Sequence, residues 1–263
     1  MKKNIKKNRH RGIYDPNNHS PYELSRTRIE NFMKCPACFF LEQKKGVKFP
    51  SVPGYNINEA TDVLLKKDFK IFRETQKPHP FLKNKGLGHL VPFQHKEFEL
   101  WTQSLHFGAE GRLNTVHELT NLKIGGGLDD VWLNLETKRL HVVDYKSTSL
   151  KSPEKELSLD EPWKITYKRQ MDLYVWILRR KGFSVDGIGY FLYCNADRFR
   201  TPYFLLKNKA EMRFDVALME YPVDVSWIEP ALLEIRALLD KDEQPSHHYR
   251  CEFGRLFESV KYL

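Results

Sequence analysis

The residues best suited to chemistry lie in two short apolar segments near the middle of the chain. Residues 125–132 read GGGLDDVW and residues 140–147 read LHVVDYKS, with the polar residues ETKR between them. Polar turn residues between segments rich in β-branched and aromatic side chains are typical of a β-hairpin. The sequence therefore predicts a hairpin whose two strands carry Asp129, Asp144 and Lys146.

The charged residues of this hairpin need partners, because burying a charge is costly unless it is paired or binds a metal. Side chains alternate along a strand, so Asp144 and Lys146 share one face while Tyr145 takes the other. Mg²⁺ prefers one or two carboxylates and leaves its remaining positions to water and substrate oxygens. Asp129 and Asp144 are therefore candidate ligands of Mg²⁺ or Mn²⁺, with the backbone carbonyl of Tyr145 as a further ligand.

Such a centre suits the hydrolysis of a phosphodiester. A divalent ion polarises the phosphoryl group and lowers the pKa of an attacking water. Lys146 is a candidate to orient that water or to offset negative charge at the phosphorus. The alternative is that Asp144 and Lys146 form an ordinary structural ion pair.

Two helices are expected to position the hairpin. Residues 163–181 have apolar side chains around one broad face, and within them Gln170 and Tyr174 are four apart and therefore share a face. The alternative for this pair is a plain contact at the edge of the core. An earlier helix is expected to begin at Glu59, with Asn58 as its N-cap. Glu59 is a candidate acid, or a first-turn glutamate that only favours the helix dipole.

Cysteine spacing indicates a second candidate site. Cys35 and Cys38 form a C-x-x-C pair after a predicted helix, and Cys251 lies near the end of the sequence. This spacing is typical of half a zinc site or of part of an iron–sulfur cluster. A second thiol beside Cys251 is missing, and His247 or His248 would have to supply a nitrogen ligand instead.

Composition limits the class of protein. A chain of 263 residues with 41% apolar residues can bury a sizeable core. Its net charge of +9 favours a polyanionic partner, or else is ordinary solubilising charge. With no apolar run near the ~18 residues of a membrane span and no secretory signal, we expect no membrane contact, a cytoplasmic location and reduced or metal-bound cysteines. Residues 1–20 are predicted to be a basic flexible arm, and residues 21–263 a single domain.

Three ordered elements resemble the PD-(D/E)XK nuclease superfamily. They are residues 127–129 (GLD), residues 142–146 (VVDYK), and Gln170 followed four residues later by Tyr174. The branch that they resemble contains the bacterial recombination helicase–nuclease domains and the CRISPR-associated iron–sulfur exonucleases. The cysteine-bearing N- and C-terminal segments are similar to that branch as well.

The resemblance implies an α/β fold of the restriction-endonuclease-like type, with a mixed central sheet flanked by helices. It also implies that Asp129 and Asp144 are metal ligands and that Lys146 is the catalytic lysine. Gln170 and Tyr174 would position the substrate strand and the active site.

Glu59 is the candidate for the acidic or histidine residue that this branch places on its first core helix. The chain departs from the pattern in two ways. The histidine that the branch often has on that helix is absent between residues 56 and 73, and the C-terminal cysteines are reduced to Cys251. A four-thiolate cluster is therefore in question, and zinc bound by Cys35, Cys38, Cys251 and one histidine is the simpler arrangement.

The function expected from these residues is a Mg²⁺- or Mn²⁺-dependent nuclease that hydrolyses DNA. An exonuclease acting on single-stranded or duplex ends, in DNA repair, recombination or defence, fits the resemblance best, and a helicase or other recombination protein is the expected partner. Two alternatives stay open. One is a catalytically inactive nucleic-acid-binding protein of the same fold, and the other is a nuclease acting on RNA.

Overall fold

The computed structural model of this protein describes residues 13–50, 54–200 and 203–260. In chain order the strands are β1 (Tyr22–Ser25), β2 (Leu90–Pro92), β3 (Asn114–His117), β4 (Leu122–Gly125), β5 (Asp130–Asn134), β6 (Leu140–Thr148), β7 (Ile188–Ala196), β8 (Leu205–Leu206), β9 (Lys209–Ala210) and β10 (Phe214–Pro222). The α-helices are α1 (Arg26–Lys34), α2 (Pro36–Lys44), α3 (Asn56–Thr75), α4 (Pro80–Asn84), α5 (Phe98–Trp101), α6 (Ile165–Arg180), α7 (Ile228–Asp240) and α8 (Glu252–Val260).

Two compact units make up the chain. The first unit takes its described residues from Met1–Ser51, Asn114–Gly125 and Ser226–Leu263, and the second from Val52–Leu113 and Gly126–Val225. None of the helices among the described residues is long and apolar enough to cross a membrane.

The second unit is built on a five-stranded sheet with the order β10-β7-β6-β5-β2. Strands β5 and β6 form the predicted antiparallel hairpin, in which Val131 pairs with Val142. Strand β6 runs parallel to β7, and the remaining neighbours are antiparallel, so the sheet is mixed. Helices α3 and α6 both pack against β6. The prediction of an α/β protein with a mixed sheet flanked by helices is confirmed, and the hairpin lies inside the sheet.

Apolar packing holds α3 against one face of this sheet. Phe69 of α3 is buried in a cluster with Trp132, Val143 and Tyr145 of the hairpin and Tyr190 of β7. The rings of Phe69 and Trp132 stack with centroids 5.4 Å apart. Buried aromatic pairs of this kind contribute about 1 kcal/mol beyond the area that they bury. This packing fixes the position of α3 relative to the hairpin.

The start of α3 differs from the prediction. The helix begins at Asn56 rather than Glu59, and Asn58 lies inside its first turn, where its backbone carbonyl accepts a hydrogen bond of 2.8 Å from the Thr61 hydroxyl. Tyr55 precedes the helix without a side-chain cap. Cap prediction rests on local residue type, whereas the packing of Phe69 on the sheet stabilises this helix from its middle.

The first unit contains a three-stranded sheet with the order β1-β4-β3, in which β1 is parallel and β3 antiparallel to β4. The last described element of this unit is α8, residues 252–260. Phe253 and Phe257 are four residues apart on α8, and both rings pack against Phe49, with centroids 4.6 and 6.4 Å away. This contact between residues distant in sequence explains the helix.

The predicted flexible arm, residues 1–20, lies in part outside the described residues, which begin at residue 13. The described part has no helix or strand, and its residues are exposed apart from Tyr14. Tyr14 is buried, its hydroxyl donates a hydrogen bond of 2.8 Å to Asp240, and its backbone N–H donates one of 2.9 Å to Gln43. Tyr14 is therefore anchored to the first unit, while residues 15–20 lie exposed.

Candidate functional site

Asp144, Lys146 and Gln170 meet at the end of β6. Asp144 is fully buried, and its Oδ2 pairs with the ammonium of Lys146 on the same face of the strand. From α6, Gln170 Nε2 donates a hydrogen bond of 2.7 Å to Asp144 Oδ1. The Lys146 ammonium also lies 4.6 Å from the centre of the Tyr167 ring. The structure thus brings together three of the residues that the sequence singled out.

The environment of Lys146 keeps it charged. Burial alone would lower the pKa of this lysine, but the carboxylates of Asp144 and Asp129 outweigh burial, and the pKa is raised from its ordinary value. Lys146 is therefore a cation at neutral pH, placed where it offsets the two acids. A protonated lysine here can donate hydrogen bonds to an anion but cannot accept a proton.

Asp129 reaches the same place from the loop that leads into β5, rather than from within the strand as expected. Its Oδ2 accepts a hydrogen bond of 2.8 Å from the backbone N–H of Tyr145. The carbonyl of Tyr145, the other predicted ligand, accepts from Lys146 Nζ at 3.4 Å. The backbone of Tyr145 therefore lies between the side chains of Asp129 and Lys146.

A third carboxylate, which sequence reasoning missed, belongs to Asp62 of α3. Lys66 Nζ lies 2.9 Å from Asp62 Oδ2 and 3.5 Å from Asp129 Oδ1, so one ammonium bridges the two acids. Burial and then the charge of Asp129 raise the pKa of Asp62, against the lowering effects of Lys66 and Lys146. The i, i+4 spacing of Asp62 and Lys66 was the only signal in the sequence, and it is also typical of a surface pair.

Glu59, the acid proposed from the sequence, lies one turn earlier on α3 and is exposed. No side-chain hydrogen bond or ion pair links it to another residue in the described part of the chain. The structure therefore does not bring Glu59 to Asp129 and Asp144. Asp62 takes that place, because the following turn of α3 is the one that faces the hairpin.

Asp130 forms a separate buried network beneath the site. Its carboxylate pairs with Arg73 of α3 and accepts hydrogen bonds from the Tyr145 hydroxyl at 2.6 Å and from Trp132 Nε1 at 3.3 Å. Burial raises the pKa of Asp130 more than Arg73 lowers it. The Arg73 guanidinium also stacks 3.8 Å from the Phe98 ring. This network joins α3 to both strands of the hairpin and so positions Asp129 beside it.

Tyr174 packs against Gly126, three residues before Asp129. It is buried, and a Cβ added to Gly126 would come within 3.0 Å of its hydroxyl. A side chain at this position would require Tyr174 to shift by a few tenths of an ångström. Gln170 and Tyr174 do share a face of α6, but Gln170 contacts Asp144 of β6 and Tyr174 contacts Gly126 in the loop before β5.

The cysteines form a second cluster in the first unit. Cys35 precedes α2, Cys38 lies in its first turn, and His247 and Cys251 come from the segment before α8. Their ligand atoms all lie within 4.8 Å of one another, so the four residues could hold a metal ion. Cys194 is buried on β7, outside this group. His247 rather than His248 is thus the histidine at the cysteines.

The distances between these ligand atoms are short enough for all four to share one metal ion. Nδ1 of His247 lies 3.6 Å from the sulfur of Cys35, Cys38 and Cys251, and the sulfurs of Cys38 and Cys251 are 3.3 Å apart. Tetrahedral zinc, with bonds of about 2.3 Å to sulfur and about 2.0 Å to nitrogen, separates its ligands by roughly 3.5–3.8 Å.

The pKa values of the thiols in the cluster are shifted in opposite directions. Burial would raise the pKa of Cys35, but hydrogen bonds from the backbone N–H groups of Cys38 and His248 and from the side chains around it lower that pKa to about 6. Burial and the neighbouring Cys251 raise the pKa of Cys38 instead. A bound cation removes this difference, because a metal holds cysteine as the thiolate.

Comparison with known proteins assigns no family. No protein-family model matches the chain, and no curated protein matches it. A solved structure titled "Crystal structure of SSO0001" is similar at 15% identity, covering 94% of this chain and 87% of that chain, with a TM-score of 0.30. A score this low marks a distant structural neighbour and supports no argument about fold or function.

Proposed function

We propose that this protein is a divalent-metal-dependent nuclease of restriction-endonuclease-like fold that hydrolyses phosphodiester bonds in DNA. The observation that carries the proposal is the convergence of Asp62, Asp129 and Asp144 with Lys146 at one end of the hairpin. Three carboxylates balanced by lysines form a set of hard oxygen donors, which is the chemistry that Mg²⁺ and Mn²⁺ prefer. The order of strand, strand and helix agrees with the PD-(D/E)XK resemblance.

The residues have distinct roles in this proposal. Asp129, Asp144 and Asp62 would hold the ion, with the Tyr145 carbonyl beside them. A bound divalent ion would polarise the phosphoryl group of the substrate and lower the pKa of an attacking water. Gln170 holds the Asp144 carboxylate in one orientation.

Lys146 acts as a cation in the same proposal. It stabilises negative charge that develops at the phosphorus, because a fixed positive charge in a partly buried site is poorly screened by water. Its raised pKa keeps it protonated throughout the neutral range.

The polynucleotide substrate is supported by the surplus of 43 Lys and Arg over 34 Asp and Glu. The PD-(D/E)XK resemblance supports three further parts of the proposal. They are action on single-stranded or duplex ends, a role in repair, recombination or defence, and a helicase partner. Two alternatives are RNA as the substrate and binding without turnover, and the cleavage experiment described below distinguishes both from cleavage of DNA.

At the cysteines we propose a single structural zinc ion held by Cys35, Cys38, His247 and Cys251. The ligands of an iron–sulfur cluster are divided among two or more irons with sulfides between them, so some of their ligand atoms stand far apart, whereas all four ligand atoms here lie within 4.8 Å of one another. Four protein ligands fill the tetrahedral coordination of zinc and leave no position for substrate, which is typical of a structural site.

The test of the nuclease proposal is cleavage of end-labelled single-stranded DNA, duplex DNA and RNA with Mg²⁺ or Mn²⁺. Wild type is expected to cut DNA, and Asp144→Asn is expected to lose at least a hundredfold in rate. Asp215→Asn, which changes an exposed aspartate of β10, is the matched control and should cut like wild type. Equal inactivity of wild type and Asp144→Asn would refute the enzyme, and cleavage of RNA alone would favour the RNA alternative.

A further inference from the structure

A cavity of about 210 Å³ lies beside Asp129 in the second unit. One wall is the face of α3 made by Val63, Lys66, Lys67, Lys70 and Arg73, whose spacing of three or four residues places them along one side of the helix. The other walls come from residues near α5 and from the loop before β5. The cavity therefore runs along α3 and ends at the proposed metal ligands.

The cations of this cavity fall into two groups. Lys66 pairs with Asp62 and Asp129, and Arg73 pairs with Asp130, so both are neutralised within the protein. Lys67 and Lys70 are exposed, and neither forms an ion pair within the part of the chain that the structure describes. Their positive charges are therefore available to a ligand.

Lys67 and Lys70 lie three residues apart on a rigid helix, which separates them by about 4.5 Å along its axis. Lys70 follows Lys66 by four residues, so it stands one turn farther from Asp129 on the same face. Ammonium groups arranged in this way suit oxygens of successive phosphates along a chain, because lysine binds phosphate as a mobile point charge.

We infer that Lys67 and Lys70 form a backbone-binding subsite that holds the phosphates next to the one at Asp129 in a single nucleic-acid strand. This inference deepens the proposed function and rests on it. The contacts are made to phosphate oxygens and not to base edges, so the subsite is independent of base sequence.

Glu99 lines the same cavity, is exposed, and forms no ion pair among the described residues. Its carboxylate repels a phosphate held by Lys67 and Lys70. The cavity thus contains charges of both signs whose removal has opposite effects on the binding of a strand. A general effect of net charge on binding predicts the same signs. A control that removes the same charge outside the cavity separates that effect from a local subsite.

The test is the affinity of the full chain for a fluorescent single-stranded DNA oligonucleotide, measured by anisotropy over a range of salt concentrations in Ca²⁺ or EDTA without Mg²⁺. We expect the double change Lys67→Gln with Lys70→Gln to weaken binding on the order of tenfold. The slope of log affinity against log salt should fall by about 1.4, since each single-strand phosphate contact contributes about 0.7. Glu99→Gln should tighten binding.

The control is Lys83→Gln with Lys85→Gln, which removes the same charge from exposed lysines of α4 and its C-cap, outside the cavity. This control should leave the slope unchanged, and Lys67→Arg with Lys70→Arg should restore binding. Equal affinity and slope in wild type and the Lys67/Lys70 variant, or an equal loss in the control, would overturn the subsite.

The two proposals can fail separately. Cleavage by wild type in Mg²⁺ together with unchanged binding by the Lys67/Lys70 variant would leave the nuclease standing and remove the subsite. Absence of cleavage by wild type, together with binding that depends on Lys67 and Lys70 but not on Lys83 and Lys85, would remove the nuclease and leave a strand-binding protein.

Discussion

Gln170 donates a hydrogen bond of 2.7 Å to Oδ1 of Asp144, while Lys146 pairs with the other oxygen of the same carboxylate. A carboxylate held at both oxygens has one orientation, and α6 is joined to the end of β6 through it. This hydrogen bond explains how Gln170, a residue of α6, can affect chemistry at the end of β6 without being a metal ligand itself.

Changing Gln170 to Leu should therefore lower cleavage by tenfold to a hundredfold, because a hydrogen bond to a charged group contributes about 1.5–3 kcal/mol. The effect is measured as kcat/KM on labelled DNA. Gln103→Leu, a change in an exposed glutamine, is the matched control. Cleavage by Gln170→Leu within twofold of wild type would show that the orientation of Asp144 does not depend on this contact.

Asp62 and Glu59 give a direct comparison of two acids on one helix. Asp62→Asn should raise the Mg²⁺ concentration needed for half-maximal cleavage at least tenfold, because it removes one of the three converging carboxylates. Glu59→Gln should change that concentration less than twofold, since Glu59 is exposed. A larger increase in the Mg²⁺ requirement for Glu59→Gln than for Asp62→Asn would identify Glu59, and not Asp62, as the metal ligand.

The cysteine cluster should contain about one zinc ion per chain, measured by elemental analysis of freshly purified protein without a visible absorbance band. His247→Ala should lose the metal and lower the unfolding temperature, because binding at a structural site contributes directly to folding. His248→Ala and Cys194→Ser should keep the metal. Iron with sulfide and a brown colour would instead identify a cluster.

Tyr14, which belongs to neither candidate site, provides a test of pH dependence. Burial, followed by the hydrogen bond to Asp240, raises the pKa of Tyr14 to about 12. An unfolded tyrosine ionises near pH 10. The neutral, hydrogen-bonded phenol therefore stabilises the folded protein fully below pH 10, and this contribution is lost as the pH rises from about 10 to 12.

Urea unfolding of wild type and Tyr14→Phe between pH 7 and 12 measures this effect. The variant should be about 1 kcal/mol less stable at pH 7, where it lacks the hydrogen bond. The gap should narrow above pH 10. A constant gap across the whole range, or no gap at pH 7, would mean that Tyr14 is not buried and hydrogen-bonded to Asp240 as found here.

The sequence alone determined the hairpin and the part of the site within it. Alternation along a strand is a local rule, so it correctly placed Asp144 and Lys146 on one face before any fold was known. Helical spacing likewise placed Gln170 and Tyr174 on one face of α6. These predictions needed only the geometry of single elements, and residues close in sequence supplied it.

Tertiary structure decided which distant residues meet. Asp62 and Glu59 are one turn apart on the same helix, and only the packing of Phe69 on the sheet turns Asp62 toward the hairpin. His247 likewise reaches the cysteines through the fold of the first unit. No periodicity encodes such contacts, because they depend on how separate elements pack together and bury their apolar faces.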